Sequence, residues 1–233
     1  MRLVRGEVKR TAAEKGRKET KQERHMKFIG ITGGVGAGKS EILSYLAKKP
    51  GTRVMLADEI AHDLMKPGTE CYNQIQSVFA GEDIFLPQGG LDRGRLAEVI
   101  FSDDTKRTAM NAIVHPAVKC YVKETAERER AEGRIRLLVL EAALLIEEHY
   151  DEICDELWYI YTREEIRQQR LMEGRGYSPE KVRQIFASQS GEEVYRAACH
   201  VVIDNNGTVE EAFAQIDRAI SNMNRRTGDT ADE

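Results

Sequence analysis

The sequence predicts an α/β fold: a five-stranded parallel sheet flanked by helices. Three observations predict it. Five short strand-like segments alternate with helical ones: Lys27–Thr32, Arg53–Ala57, Ile135–Leu140, Glu156–Tyr161 and His200–Ile203. The third, Arg136-Leu137-Leu138-Val139-Leu140, is apolar without alternation, as in a strand covered on both faces. A glycine-rich bend directly follows the first segment, at the strand end where open parallel sheets place ligands.

The first strand, Phe28-Ile29-Gly30-Ile31-Thr32, runs into Gly33-Gly34-Val35-Gly36-Ala37-Gly38-Lys39-Ser40. This run satisfies G-x-x-x-x-G-K-[ST] at every position. Glycines let the backbone curl so that consecutive N–H groups point inward, and the helix starting near Lys39 adds its positive end. Lys39 is placed to reach the β- and γ-phosphates of a nucleoside triphosphate, and Ser40 to offer a hydroxyl to Mg²⁺. Ile42, Leu43 and Leu46 supply the apolar face of the following helix. A chance match would lack this strand–loop–helix context. The fold expected is therefore that of a phosphate-loop NTPase; the loop alone leaves a kinase, a GTPase and an ATPase motor open.

The second strand ends near Asp58. This carboxylate is either the base that deprotonates an acceptor hydroxyl or the N-cap of a helix over 59–65. About 75 residues separate the second and third strands, far more than one crossover needs. Helical spacing over Asp92–Phe101 and Thr105–Arg130 marks an insertion over 62–132, expected to bind the second substrate, and Pro116 is expected to break or kink its long helix. His115 reads as structural. Glu141 closes the third strand, either as a carboxylate that holds Mg²⁺ through water or in an ion pair.

After the fourth strand, Thr162-Arg163-Glu164-Glu165 has the form of a capping box. The helix it opens runs to Gly174, and Ser178-Pro179 opens the next. This arginine-rich hairpin, about 165–185, is expected to be a lid. Arg170 and Arg175 are the candidate phosphate clamps; Arg163 and Arg167 are expected to be solvated. Asp204-Asn205-Asn206-Gly207 is read as a loop beside the adenine, with Asn206 the candidate contact. Thr208-Val209-Glu210-Glu211 caps a final helix with Val209, Phe213, Ile216 and Ile220 inward, frayed past Asn222.

Composition narrows the class. The 233 residues are 41% hydrophobic and 32% charged, as in soluble globular proteins, and no apolar run is long enough to span a bilayer. Residues 1–25 carry nine Lys and Arg against four Glu, a net +5 within a chain of net −4. They read as a disordered basic tail, better explained by a start at Met26 than by nucleic acid, because no aromatic is present for base stacking. The kinase domain is expected over 26–225, with a frayed tail at 226–233. Cys71, Cys120, Cys154 and Cys199 are scattered, with no metal-ligand spacing. A cytoplasmic protein with reduced cysteines, monomeric or weakly oligomeric, is expected. The GTPase tetrad N-K-x-D is absent.

Taken in order, several segments resemble the dephospho-coenzyme A kinase family over nearly the whole chain from Met26 to about Ile220. They are the phosphate loop with its strand, Ala57-Asp58-Glu59-Ile60-Ala61-His62, Leu91-Asp92-Arg93, and Asn111-Ala112-Ile113-Val114-His115-Pro116. Arg170-Leu171-Met172 and Val202-Ile203-Asp204-Asn205-Asn206-Gly207 follow. The resemblance implies transfer of the ATP γ-phosphate to the 3′-hydroxyl of dephospho-coenzyme A, with Asp58 as base, the inserted helices around the acceptor and the Arg170 region as lid. The chain departs from the family pattern at Leu56 and Glu141, where Asp is usual, and at Ala143, where Pro is usual. Its second lid arginine, Arg175, is displaced by one residue. A nucleoside monophosphate kinase and a nucleotide-binding module without transfer activity are the alternatives.

Overall fold

A computed structural model describes residues 26–228. The basic tail expected at 1–25 and the last residues, 229–233, lie outside the described residues. Five parallel strands form one sheet: β1 (Lys27–Thr32), β2 (Thr52–Leu56), β3 (Leu137–Glu141), β4 (Glu156–Tyr161) and β5 (Val201–Asp204), in the order β2-β3-β1-β4-β5. Register pairs Ile31 of β1 and Leu56 of β2 with Glu141 of β3. The carboxyl ends of these three strands are therefore level.

The unbroken apolar run of β3 is explained by burial on both faces. Leu138 and Leu140 pack on one side with Phe28, Met55 and Leu157. Leu137 and Val139 pack on the other with Ile29, Ile31, Trp158 and Ile160. Helices α1 (Lys39–Ala47) and α9 (Val209–Gly228) cover the second face through Ile42, Leu46, Ala212 and Ile216. The first face is covered by α2 (Ala57–Leu64), α3 (Glu70–Val78), α4 (Arg93–Ser102) and α5 (Asp104–Glu132). Between β4 and β5 the chain forms α6 (Glu164–Arg175), α7 (Pro179–Ala187) and α8 (Glu192–Ala198).

Four expectations are corrected. Pro116 neither ends nor divides α5, which is one helix from Asp104 to Glu132. Pro116 is exposed, and the buried stripe Met110, Val114, Val118 and Val122 runs past it on the core side. Packing therefore holds the helix through the missing N–H. Ala57 belongs to α2, not to β2. The capping box at Thr162 does not form: Arg163 is the N-cap and makes no side-chain cap bond. Thr162 Oγ1 instead donates to the carbonyls of Ala37 and Asn205. Helix α9 continues past Asn222 to Gly228.

The capping pair at Thr208 does form. Glu211 Oε2 accepts from Thr208 N at 2.9 Å, and Thr208 Oγ1 accepts from Glu211 N at 3.3 Å. Ser178 likewise caps α7, with Pro179 in its first turn.

Candidate active site

The loop Gly33–Ser40 joins β1 to α1 at the carboxyl edge of the sheet. Gly38 takes a left-handed φ of 86° with its Cα against the Asn205 side chain, so a side chain there would be strained and would collide. Ser40 is exposed in the first turn of α1. Lys39 turns back over the loop and donates to the Gly33 carbonyl at 2.6 Å and the Gly34 carbonyl at 3.5 Å. Its Nζ stands 3.6 Å from Glu141 Oε1, and both side chains are largely buried, 17% and 18% exposed.

Burial governs this pair from both sides. It pulls the Lys39 ammonium below its usual 10.5, against the raising influence of Glu141. It pushes the Glu141 carboxyl above its usual 4.5; Lys39 opposes the shift, and the charge of Asp58 adds to it.

Asp58 sits in the first turn of α2 and is exposed. The N-cap of α2 is Leu56, with no side-chain cap bond. Asp58 therefore does not cap the helix, as one of its two readings had it. It lies two residues beyond Leu56, the β2 residue in register with Glu141, so the ends of β1, β2 and β3 bring Lys39, Glu141 and Asp58 to one edge.

The opposite shoulder of the loop is held by residues far along the chain. Asn205 is buried, and its Nδ2 donates to the Ala37 carbonyl at 2.8 Å. Arg170 donates to the Asn205 carbonyl at 3.1 Å and to the Ala37 carbonyl at 3.5 Å. Asn206 faces away from the loop: its Oδ1 accepts Arg163 N at 2.8 Å, and it lines a cavity of about 470 Å³ with Asp204, Gly207 and Gln215. Gln215 Oε1 accepts from Asp204 N while its Nε2 donates to Asp204 O, fixing that strand end. Arg175, the last residue of α6, is exposed and acts on Lys39 by charge alone.

Arg167 is half-buried against the loop, contrary to its expected solvation. Asn205 and Gln189 contact the loop through side chains the sequence did not single out. The segment Asp204–Gly207 held Asn205, but only the fold shows which of its two asparagines turns inward. His115 Nδ1 lies 2.7 Å from Glu148 Oε1. The four cysteines are free thiols.

A parallel sheet in this order, with a phosphate loop between β1 and α1, defines a nucleotide-binding kinase of the phosphate-loop class. The dephospho-CoA kinase family model matches residues 27–211. The chain belongs to the dephospho-CoA kinase family. Curated relatives named dephospho-CoA kinase include that of Geobacter sulfurreducens, 38% identical over 82% of this chain and 96% of the relative. That of Symbiobacterium thermophilum is 36% identical over 83% and 80%. That of Arabidopsis thaliana is 32% identical over 86% and 85%. Among solved structures, TT1252 from Thermus thermophilus is similar with a TM-score of 0.69 and 27% identity, covering 85% of this chain and 98% of that one. The dephospho-CoA kinase from Campylobacter jejuni shares the fold, with a TM-score of 0.64 at 19% identity over 86% and 98%.

Proposed function

We propose that the protein transfers the γ-phosphate of ATP to the 3′-hydroxyl of dephospho-coenzyme A, giving coenzyme A and ADP, the final step of coenzyme A synthesis. Family membership supports the reaction. The observation that supports the mechanism is the level register of the ends of β1, β2 and β3, with Glu141 closing β3 beside Lys39 and Asp58 two residues past β2.

The transfer is direct and in line. Backbone N–H groups of Gly33–Ser40 hold the phosphates, and Lys39 exchanges its carbonyl partners for β- and γ-phosphate oxygens. Asp58 accepts the proton of the acceptor hydroxyl as the O–P bond forms and the bond to ADP breaks. Arg170, already bonded at the Ala37 shoulder, counters negative charge gathering on the leaving phosphate, and Arg175 adds to that field from the end of α6. Asn206 and its cavity take the adenine. Helices α2–α5, over 62–132, surround the acceptor, and the α6–α7 hairpin, about 165–185, covers the phosphates.

The donors beside the loop, the Ser40 hydroxyl and the Glu141 carboxylate, are hard oxygens, as Mg²⁺ requires. No group of three or more His, Cys, Asp or Glu among the described residues is placed to hold a metal by itself, so Ser40 and Glu141 would share the ion with the nucleotide. When bound, Mg²⁺ supplies charge neutralisation between the β- and γ-phosphates.

The raised carboxyl of Glu141 gives a pH prediction. If the anion is needed, activity is present above its raised value and is lost as pH falls through it. The acid limb of kcat/KM for ATP should therefore fall above 4.5, the ordinary carboxylate value for this residue. The stability contribution has the opposite sign, because a raised native value favours the fold below the unfolded value and is lost as pH rises. The Tm difference between wild type and Glu141→Gln should therefore widen from acid to neutral pH, as activity rises.

An acceptor panel tests the function: purified protein with ATP and dephospho-coenzyme A, AMP, CMP or UMP. Coenzyme A formation well above all monophosphate turnover is expected. Preference for a monophosphate would end the assignment.

A further inference from the structure

Arg167 stands apart from the transfer machinery described above, yet it makes the tightest contact between α6 and the first half of the phosphate loop. Its Nε donates to the Val35 carbonyl at 2.9 Å. A terminal nitrogen donates to Gln189 Oε1, and the same oxygen accepts the Val35 N–H at 3.3 Å. A guanidinium and an amide thus close a ring of hydrogen bonds on both polar groups of one loop residue. The arrangement is braced from behind, because the guanidinium carbon lies 4.4 Å from the centre of the Phe186 ring. In front, the guanidinium fills the space that a Cβ on Gly34 would need.

Two further contacts show what this ring controls. Lys39 donates to the carbonyls of Gly33 and Gly34, so the two cations flank the same short stretch of backbone. One turn along α6, Arg170 bonds the Ala37 carbonyl. Helix α6 therefore grips the loop at both shoulders, and the residues on either side of Gly36 are fixed from outside. A loop residue held by its own N–H and C=O cannot rotate its peptide planes out of the phosphate-binding form. Ordering that would otherwise fall due on ATP binding is completed in advance.

We infer that Arg167, with Gln189, is a positioning residue for ATP: the pair presets the Val35 segment of the phosphate loop and ties nucleotide affinity to the α6–α7 hairpin. This rests on the reading that the loop binds ATP. Losing the preset form of a loop residue is worth about a tenfold loss in affinity.

The test is steady-state kinetics with direct ATP-binding measurements on the wild type, Arg167→Ala, Arg167→Lys, Gln189→Ala and the double alanine variant. Arg167→Ala and Gln189→Ala should each raise KM and Kd for ATP about tenfold, with the acceptor KM and Tm close to wild type. Arg167→Lys should not recover ATP affinity, because one ammonium cannot serve Val35 and Gln189 together while lying flat on Phe186. The double variant should be no worse than the worse single one, since both act through one ring.

An unchanged ATP KM in the alanine variants, full recovery by lysine, or additive losses would each overturn the inference. So would equal rises in both KM values with a fall in Tm, the mark of a merely structural role. If Arg167→Ala does not fold, Gln189→Ala decides alone. A wild type that binds no ATP brings down the functional reading and the inference together; a wild type that binds ATP beside indifferent variants brings down the inference alone.

Discussion

Replacing Asp58 by Asn is expected to lower turnover about 10²–10⁴-fold, the range a positioned base contributes, while ATP affinity stays close to wild type. Asn keeps the size and shape of the side chain in the first turn of α2. It has no lone pair basic enough to take a proton from an alcohol. Among the described residues Asp58 makes no hydrogen bond or ion pair with the phosphate loop, so the nucleotide has no reason to leave. The same substitution carries a second readout. The charge of Asp58 helps hold the Glu141 carboxyl up, so its removal should shift the acid limb of the residual activity to lower pH. Turnover within a few-fold of wild type would remove Asp58 as the base. An acid limb that does not move would separate it from Glu141.

Replacing Lys39 by Ala should cost about 10²–10³-fold in turnover, the loss measured when one preorganised donor is taken from a developing negative charge. It should also weaken ATP binding, unlike Asp58→Asn. Lys39 is the cation poised over Gly33 and Gly34 and paired with Glu141. Its loss leaves a largely buried carboxylate without its counter-charge, which raises the Glu141 carboxyl further, because Lys39 was the group opposing burial. The acid limb should therefore move to higher pH, opposite to its movement in Asp58→Asn. Kinetics against pH on both variants check the pair of shifts. Movement in the same direction would contradict the geometry of the edge.

The sheet was legible because its signals are local. An unalternating apolar run fixes β3, and the motif Gly33–Ser40 fixes the bend after β1 whatever the rest of the chain does. The position of Asp58 and Glu141 at one sheet edge was legible for the same reason: Glu141 closes β3, Asp58 follows two residues after the end of β2, and parallel strands bring their ends level. The Thr208–Glu211 cap and the Ser178–Pro179 helix start also depend on near neighbours alone.

What was missed depends on partners distant in sequence. Thr162 fits a capping pattern, but the Ala37 and Asn205 carbonyls compete for its hydroxyl and win. Arg167 sits on a polar helix and reads as solvated until Phe186, Gln189 and Val35 are brought around it. Asn205 and Asn206 are indistinguishable in a run of two, yet one is buried against the loop and the other lines a cavity. At Pro116 the local rule was sound; the buried stripe on the core side of α5 outweighed it. Helices α3 and α8 span only nine and seven residues and were not placed individually from the sequence.

The most direct measurement is a crystal structure of the protein with a non-hydrolysable ATP analogue and dephospho-coenzyme A bound together. The account predicts the phosphates within the Gly33–Ser40 amides and the acceptor 3′-hydroxyl in line with the γ-phosphate. An Asp58 oxygen should lie within hydrogen-bond reach of that hydroxyl, about 2.6–3.2 Å. Asp58 turned away from the hydroxyl, with another group occupying that distance, would contradict it.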